Sequence, residues 1–254
     1  RPVVEGGLTL ELRALADTVL AHQTAWIEIR ITNGTRARVS VPFRSDKIVG
    51  EWRFTGEQNQ LVMDWPPAKE LEDSRFLAIG PGETLYEILS PESCFGVLTG
   101  TGTIRATCRV AGVEAPAVTL VRRPTRPGDQ PSALRAVGSL TQPQTRAQAQ
   151  ARLWTMCAGG GGYFDCDEAL YTVAYDRLLV APAEAAAIVD TLIARAPNSG
   201  WCRSALLELV MRLPEPAAKR EIDGILARHP GGVAEAYAHE LNRRRTFGDY
   251  PVRS

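Results

Sequence analysis

The hydrophobic residues of this chain change their period once, and the change divides the chain into two kinds of fold. Between residues 8 and 121 apolar side chains alternate with polar ones. In LTLELRA, for example, Leu8, Leu10 and Leu12 share one face against Thr9, Glu11 and Arg13. Alternation at every second position marks a strand with one buried face. From residue 145 to 245 the apolar positions recur every three to four residues, the period of amphipathic helices. The stretch between them, RRPTRPGDQPSALRAVGSLTQPQT, holds Pro124, Pro127, Pro131 and Pro143 and four Arg against one acid. That composition suits an extended connector with one short helical turn near Ala133. The pattern predicts a β domain over 1–121, a Pro-rich linker over 122–144 and an α-helical domain over 145–254.

Composition narrows the function classes. The 254 residues carry 29 basic and 29 acidic side chains, and 44% are hydrophobic, values of a globular chain of one or two domains. A formally neutral chain lacks the basic excess of a dedicated nucleic-acid binder. No run approaches the roughly 18 apolar residues that a membrane helix needs. The chain opens at Arg1, which fits a removed leader or a trimmed start; the expectation adopted is a periplasmic or extracellular protein.

In the β half, Ala25, Ile27, Ile29 and Ile31 face inward, with Glu28 and Arg30 on the other side. Asn33-Gly34 supplies a turn, because both residues tolerate positive φ. Val39, Val41 and Phe43 continue the pattern, followed by IVGEWRF, LVMDW, FLAI, LYEIL, TIRATCRV and AVTLV, with turns such as GPGET between them. About eight such strands predict an antiparallel sandwich with a dry apolar core. Trp26 lies opposite the Ile row and is expected to pack beneath the linker or helical half; Glu28 and Arg30 beside it would then rim a contact site.

In the helical half, six helices are expected: Arg146–Cys157, Asp165 or Asp167 to Leu179, Pro182–Pro197, Trp201–Arg212, Pro216–His229 and Val233–Arg244. IVDTLIARAP, ending at Pro197, is echoed by EIDGILARHP, ending at Pro230. The echo maps Asp190 onto Asp223, Ala194 onto Ala227 and Arg195 onto Arg228. A two-helix period near 33 residues closed by Pro is the arithmetic of a helical-hairpin solenoid.

Two resemblances attach to these residues. IEIRITNGT, VPF, GPGET and GTIRATCRV resemble the immunoglobulin-like sandwiches of bacterial envelope and secreted proteins. More faintly, the order of Asn turn, paired strand, Trp strand and Pro-Gly-Glu turn is similar to a bacillar intracellular proteinase inhibitor family. No Cys lies near the Ile27 strand and Ala106 stands where a tyrosine corner needs Tyr, so two antibody-domain hallmarks are missing. The echo resembles degenerate tetratricopeptide repeats over about 90 residues, although the usual Gly and Tyr of the first helix are not clearly present.

Sites of chemistry are sparse. Cys94, Cys108, Cys157, Cys166 and Cys202 form no CxxC or Cys/His ligand set. Burial as small hydrophobes competes with pairing. If the compartment is oxidising, Cys157–Cys166 across AGGGGYFD is the preferred bridge, with Cys202 as competing partner, and Cys94–Cys108 is a second candidate. His22, His229 and His239 are read as surface or packing residues, His229 serving a helix C-terminus. The loop Gly159–Asp167 is read as a connector; a cation site at Asp165, Asp167 and Glu168 or an anion site is the sharper alternative. Asn33-Gly34-Thr35 is a glycosylation sequon. Arg243 and Arg244 complement the last helix dipole or form a partner patch.

These readings assemble into a non-enzymatic interaction or structural protein of a bacterial envelope or exterior. It would need no cofactor or metal and would bind another protein through sandwich edges and the solenoid's concave face. The alternatives are a peptidase inhibitor presenting the Ser90–Gly102 loop, and an enzyme or cation binder with its site near Asp165.

Overall fold

The computed structural model of the chain describes residues 3–5, 7–21, 23–44, 47–48, 50–56, 61–65, 75–91, 101–124, 166–178 and 180–246. The chain forms two compact units, Arg1–Thr125 and Arg126–Ser254. The expected helix Arg146–Cys157, most of the linker and the Gly159–Asp165 loop lie outside the described residues.

Among the described residues, the alternating half forms three sheets. The first contains β1 (Val3–Glu5), β2 (Leu8–Ala14), β4 (Ile27–Asn33) and β10 (Thr84–Leu89), in that order. The second runs β3 (Thr18–Leu20), β13 (Val118–Arg123), β11 (Gly102–Val110), β7 (Glu51–Thr55), β8 (Leu61–Trp65), with β12 (Val113–Glu114) paired to β11. The third joins β6 (Lys47–Ile48), β5 (Val39–Arg44) and β9 (Arg75–Ile79). β2 packs onto β11, β12 and β13, and one apolar core draws side chains from all three sheets. This strand order, with the first edge divided between both main sheets, is that of an immunoglobulin-like sandwich.

The inward faces are the predicted ones. Ala25, Ile27, Ile29 and Ile31 are buried, as are Ile104, Ala106, Cys108 and Val110 on β11. Trp52 stacks on Phe54 within that core, ring centroids 5.7 Å apart.

Three expectations are corrected. The sheet is not wholly antiparallel, since β3 pairs parallel to β13 from Thr18↔Val121 to Leu20↔Arg123. The interior is not wholly apolar, because Glu87 is opposite Ile29 in the register and fully buried; its carboxylate accepts from the Ile88 N–H at 2.8 Å. The β domain does not stop at Val121. Its last strand runs to Arg123, and Arg122 is buried, its guanidinium donating to the Ala21 carbonyl.

Asn33, expected to turn the chain, also joins the sheets. Its Nδ2 donates to the carbonyls of Ala37 and Ile79 at 2.8 and 2.9 Å. Its Oδ1 accepts from the Thr35 N–H at 2.9 Å and the Thr35 hydroxyl at 2.7 Å. Its own N–H donates to Glu83, and its carbonyl accepts from Gly82. The buried side chain thus uses both donors and both acceptor sites. The turn it meets is Gly80-Pro81-Gly82-Glu83, closed by Glu83 N–H to Gly80 O at 3.1 Å. Pro at the second position and Gly82 at φ +74 at the third are what a type II turn requires.

Among the described residues, the helical half contains α1 (Cys166–Leu178), followed by α2 (Pro182–Arg195), α3 (Gly200–Arg212), α4 (Glu215–Arg228) and α5 (Gly232–Thr246). Each start and end falls within two residues of its expected place. α1 packs on α2 and α3, and α3 packs on α5. The 33-residue echo is carried into the helix ends: Ala196 and His229 close α2 and α4 with nearly equal dihedrals (φ −133, ψ 60 and φ −127, ψ 68) and bond back to Leu192 and Ile225. Gly232 is needed where α5 begins. Its φ is +77, and a Cβ there would sit 2.9 Å from the Pro197 carbonyl, the same carbonyl that accepts the Val233 N–H at 3.0 Å.

Replacing Asn33 by Ala removes the donors to the Ala37 and Ile79 carbonyls and the acceptor that the Thr35 N–H reaches. Asn33→Ala is expected to lower the unfolding free energy of the β unit by about 3 kcal/mol in denaturant titrations. Asn33→Asp is not expected to restore it, because a carboxylate brings no donors to the Ala37 and Ile79 carbonyls.

Candidate functional site

The outer face of the first sheet carries a buried carboxylate between two arginines. The register sets Arg13 opposite Glu28 on β2 and β4, and Tyr86 opposite Arg30 on β4 and β10. Glu28 is 2% exposed. It receives Arg13 Nε at 2.5 Å, and Arg30 through Nε at 3.2 Å and Nη2 at 2.8 Å. The Arg30 guanidinium also lies 5.7 Å from the Tyr86 ring centroid, a cation–π distance. Burial alone raises the Glu28 pKa, but the hydrogen-bonded guanidinium groups of Arg30 and Arg13 and the neighbouring Tyr86 phenol outweigh it and hold the carboxyl below its ordinary value. Glu28 was expected on the rim of a contact surface; it is instead the buried centre of an ion network whose arginines are the exposed members. Trp26, just before β4, is half-buried.

Helix-end residues show the same use of charge. Arg243 forks onto Glu240, with Nη2 at 2.6 Å from Oε1 and Nε at 3.1 Å from Oε2; Glu240 is 3% exposed. The patch reading of Arg243 therefore gives way to a structural pairing, while Arg244 lies on α5 with its side chain outside the described residues. Asp190 on α2 accepts both Arg228 Nε at 2.8 Å and His229 Nε2 at 2.9 Å from the end of α4. His229 thus does more than complement a helix dipole: it ties one echoed segment to the other.

The cysteine expectations divide. Cys108 is a free thiol buried in the core, opposite Trp52 on β7, so the Cys94–Cys108 bridge does not form. The bare backbone of Gly50 makes room for it, since a Cβ there would lie 2.6 Å from the Cys108 sulfur. Cys202 is also free and buried, its sulfur 3.2 Å from the Ala196 carbonyl, which removes it as the competing partner of Cys157. Cys166 is engaged rather than free. Cys94 and Cys157 lie outside the described residues. Burial raises the Cys108 thiol well above its ordinary value and pushes Cys202 up to about 12.

Other candidate positions offer little chemistry. Asp167 accepts the Glu168 N–H of its own helix through Oδ1 and the Ser199 hydroxyl through Oδ2, so its carboxylate is engaged within α1 and at the start of α3. Among the described residues no group of three or more His, Cys, Asp or Glu is arranged to hold a metal ion. Of the Ser90–Gly102 loop, Ser90 is buried and residues 92–100 lie outside the described ones. His22 and Asp165 lie outside them as well. Among the described residues, no helix is long and apolar enough to cross a membrane.

One surface was missed by the sequence reading. Tyr171 stacks on Trp201 across α1 and α3, centroids 4.8 Å apart, and Tyr171 is 6.1 Å from Tyr175. Arg212 covers the Tyr175 ring at 4.3 Å while its Nε donates to Glu208 at 2.5 Å. Tyr175 is 41% exposed, and burial pushes the Tyr171 phenol up to about 12. The signal was available: Tyr171 and Tyr175 stand four apart on one helix, as do Glu208 and Arg212 on another, so each pair shares a face.

Comparison with known proteins adds little. No family model matches the chain, and no curated protein does. Solved structures overlap parts of it at low similarity. The CARDB domain of the PF1109 protein from Pyrococcus furiosus, in complex with di-metal ions, is 16% identical; the match covers 45% of this chain and 91% of that one, with a TM-score of 0.29. The C-terminal domain of wzt is 8% identical over 48% of this chain and 77% of its own, with a TM-score of 0.33. Spo0M, a sporulation control protein of Bacillus subtilis, is 8% identical over 54% and 56%, with a TM-score of 0.28. Similarity of this size says nothing about activity, and the sandwich stands on the strand order and register of this chain.

A depressed carboxyl stabilises the fold above its ordinary pKa of 4.5 and loses that contribution as pH falls through its lower folded value. Glu28→Gln is accordingly expected to lower stability at pH 7 by about 3 kcal/mol. It should also flatten the acid limb of a stability–pH curve. Separately, Cys108 and Cys202 are expected to resist a thiol reagent in the native protein and to react only on unfolding.

Proposed function

We propose that this chain is a non-enzymatic protein-interaction component of a bacterial envelope or exterior. It combines an immunoglobulin-like sandwich with a short tetratricopeptide-like solenoid. The observation carrying the proposal is the half-exposed aromatic and arginine face of α1 and α3, built by Tyr171, Tyr175, Trp201 and Arg212. Aromatic and Arg side chains dominate the energetics of protein interfaces. Here they are held in place before any partner arrives, which lowers the ordering cost of association. Support for a solenoid comes from the order of packing, α1 on α3 and α3 on α5 with α2 and α4 between them in sequence, and from the matching ends of α2 and α4. An exterior location accords with a Cys157–Cys166 bridge across the glycine run, which is part of the same proposal.

Two measurements test it. Immobilised protein exposed to envelope extract or medium of its source is expected to retain a specific protein. The double change Tyr175→Ala and Arg212→Ala should weaken that binding by at least about tenfold without altering the circular dichroism of the helices. A chain that retains nothing, or a variant that binds undiminished, overturns the reading. In unfolded, unreduced protein isolated from its natural compartment, Cys94, Cys108 and Cys202 should react with a thiol reagent, and all five cysteines only after reduction. Five reactive thiols before reduction remove the bridge and the oxidising compartment with it.

A further inference from the structure

We draw no further inference here: the strongest candidate, the aromatic and arginine face that Tyr175, Trp201 and Arg212 build across α1 and α3, belongs to the site already described, and nothing in the structure shows what covers it.

Discussion

The amide of Asn33 is the constraint on which the rest of the β unit hangs. It stands at the last position of β4, where the chain leaves one sheet for another, and it holds the β9 end, the Gly80–Glu83 turn and its own following loop in register. A buried polar group is tolerable only when its hydrogen bonds are met. This one meets all of its own and donates to the backbone carbonyls of Ala37 and Ile79. It also gives Thr35 a reason to be there: the hydroxyl and N–H of Thr35 both reach Asn33 Oδ1. The tripeptide Asn33-Gly34-Thr35 reads as a glycosylation sequon, yet its side chains are occupied in holding the fold, and the Asn33 amide is out of reach of an enzyme once the sheets have closed.

Charge is used in a related way across both units. Glu28 and Glu240 are buried carboxylates, and each is met by an arginine guanidinium, Arg30 on the first and Arg243 on the second. Exposed ion pairs such as Lys219–Asp223 contribute at most about 1 kcal/mol. A buried carboxylate stripped of its partner costs several times more. The planar fork of Arg suits this task better than the point charge of Lys, and arginine provides the fork in both networks. The surface therefore carries guanidinium groups whose first task is internal.

How much of this could be read from the residues follows from what a period can encode. Alternation identifies a strand and its inner face, so Ile27, Ile29, Ile31 and the β11 row were legible, and so were the five described helices, from the helical period of their apolar residues, with Pro182 and Pro216 near the start of two of them. Alternation says nothing about which strand lies beside which. The parallel β3, the small third sheet and the role of Asn33 as a junction all depend on register between distant segments. Polarity also misled. Glu28 is charged and faces away from the Ile row, which reads as solvent exposure, and only the positions of Arg13 and Arg30 across the pleat reveal that it is enclosed. The Tyr171–Trp201 stack was hidden for the same reason, since it joins two helices that the chain separates by the whole of α2.

The parallel pairing of Thr18–Leu20 with Val121–Arg123 also bears on how the unit is made. A ribosome releases the early segment long before its neighbour exists, because about a hundred residues must be translated between them. Until Arg123 has left the exit tunnel, Thr18–Leu20 has no ladder to join, and the Ala21 carbonyl lacks the guanidinium that Arg122 brings to it. The sandwich is therefore a structure that closes late, and a nascent or prematurely terminated chain presents an open seam for chaperones and proteases to find.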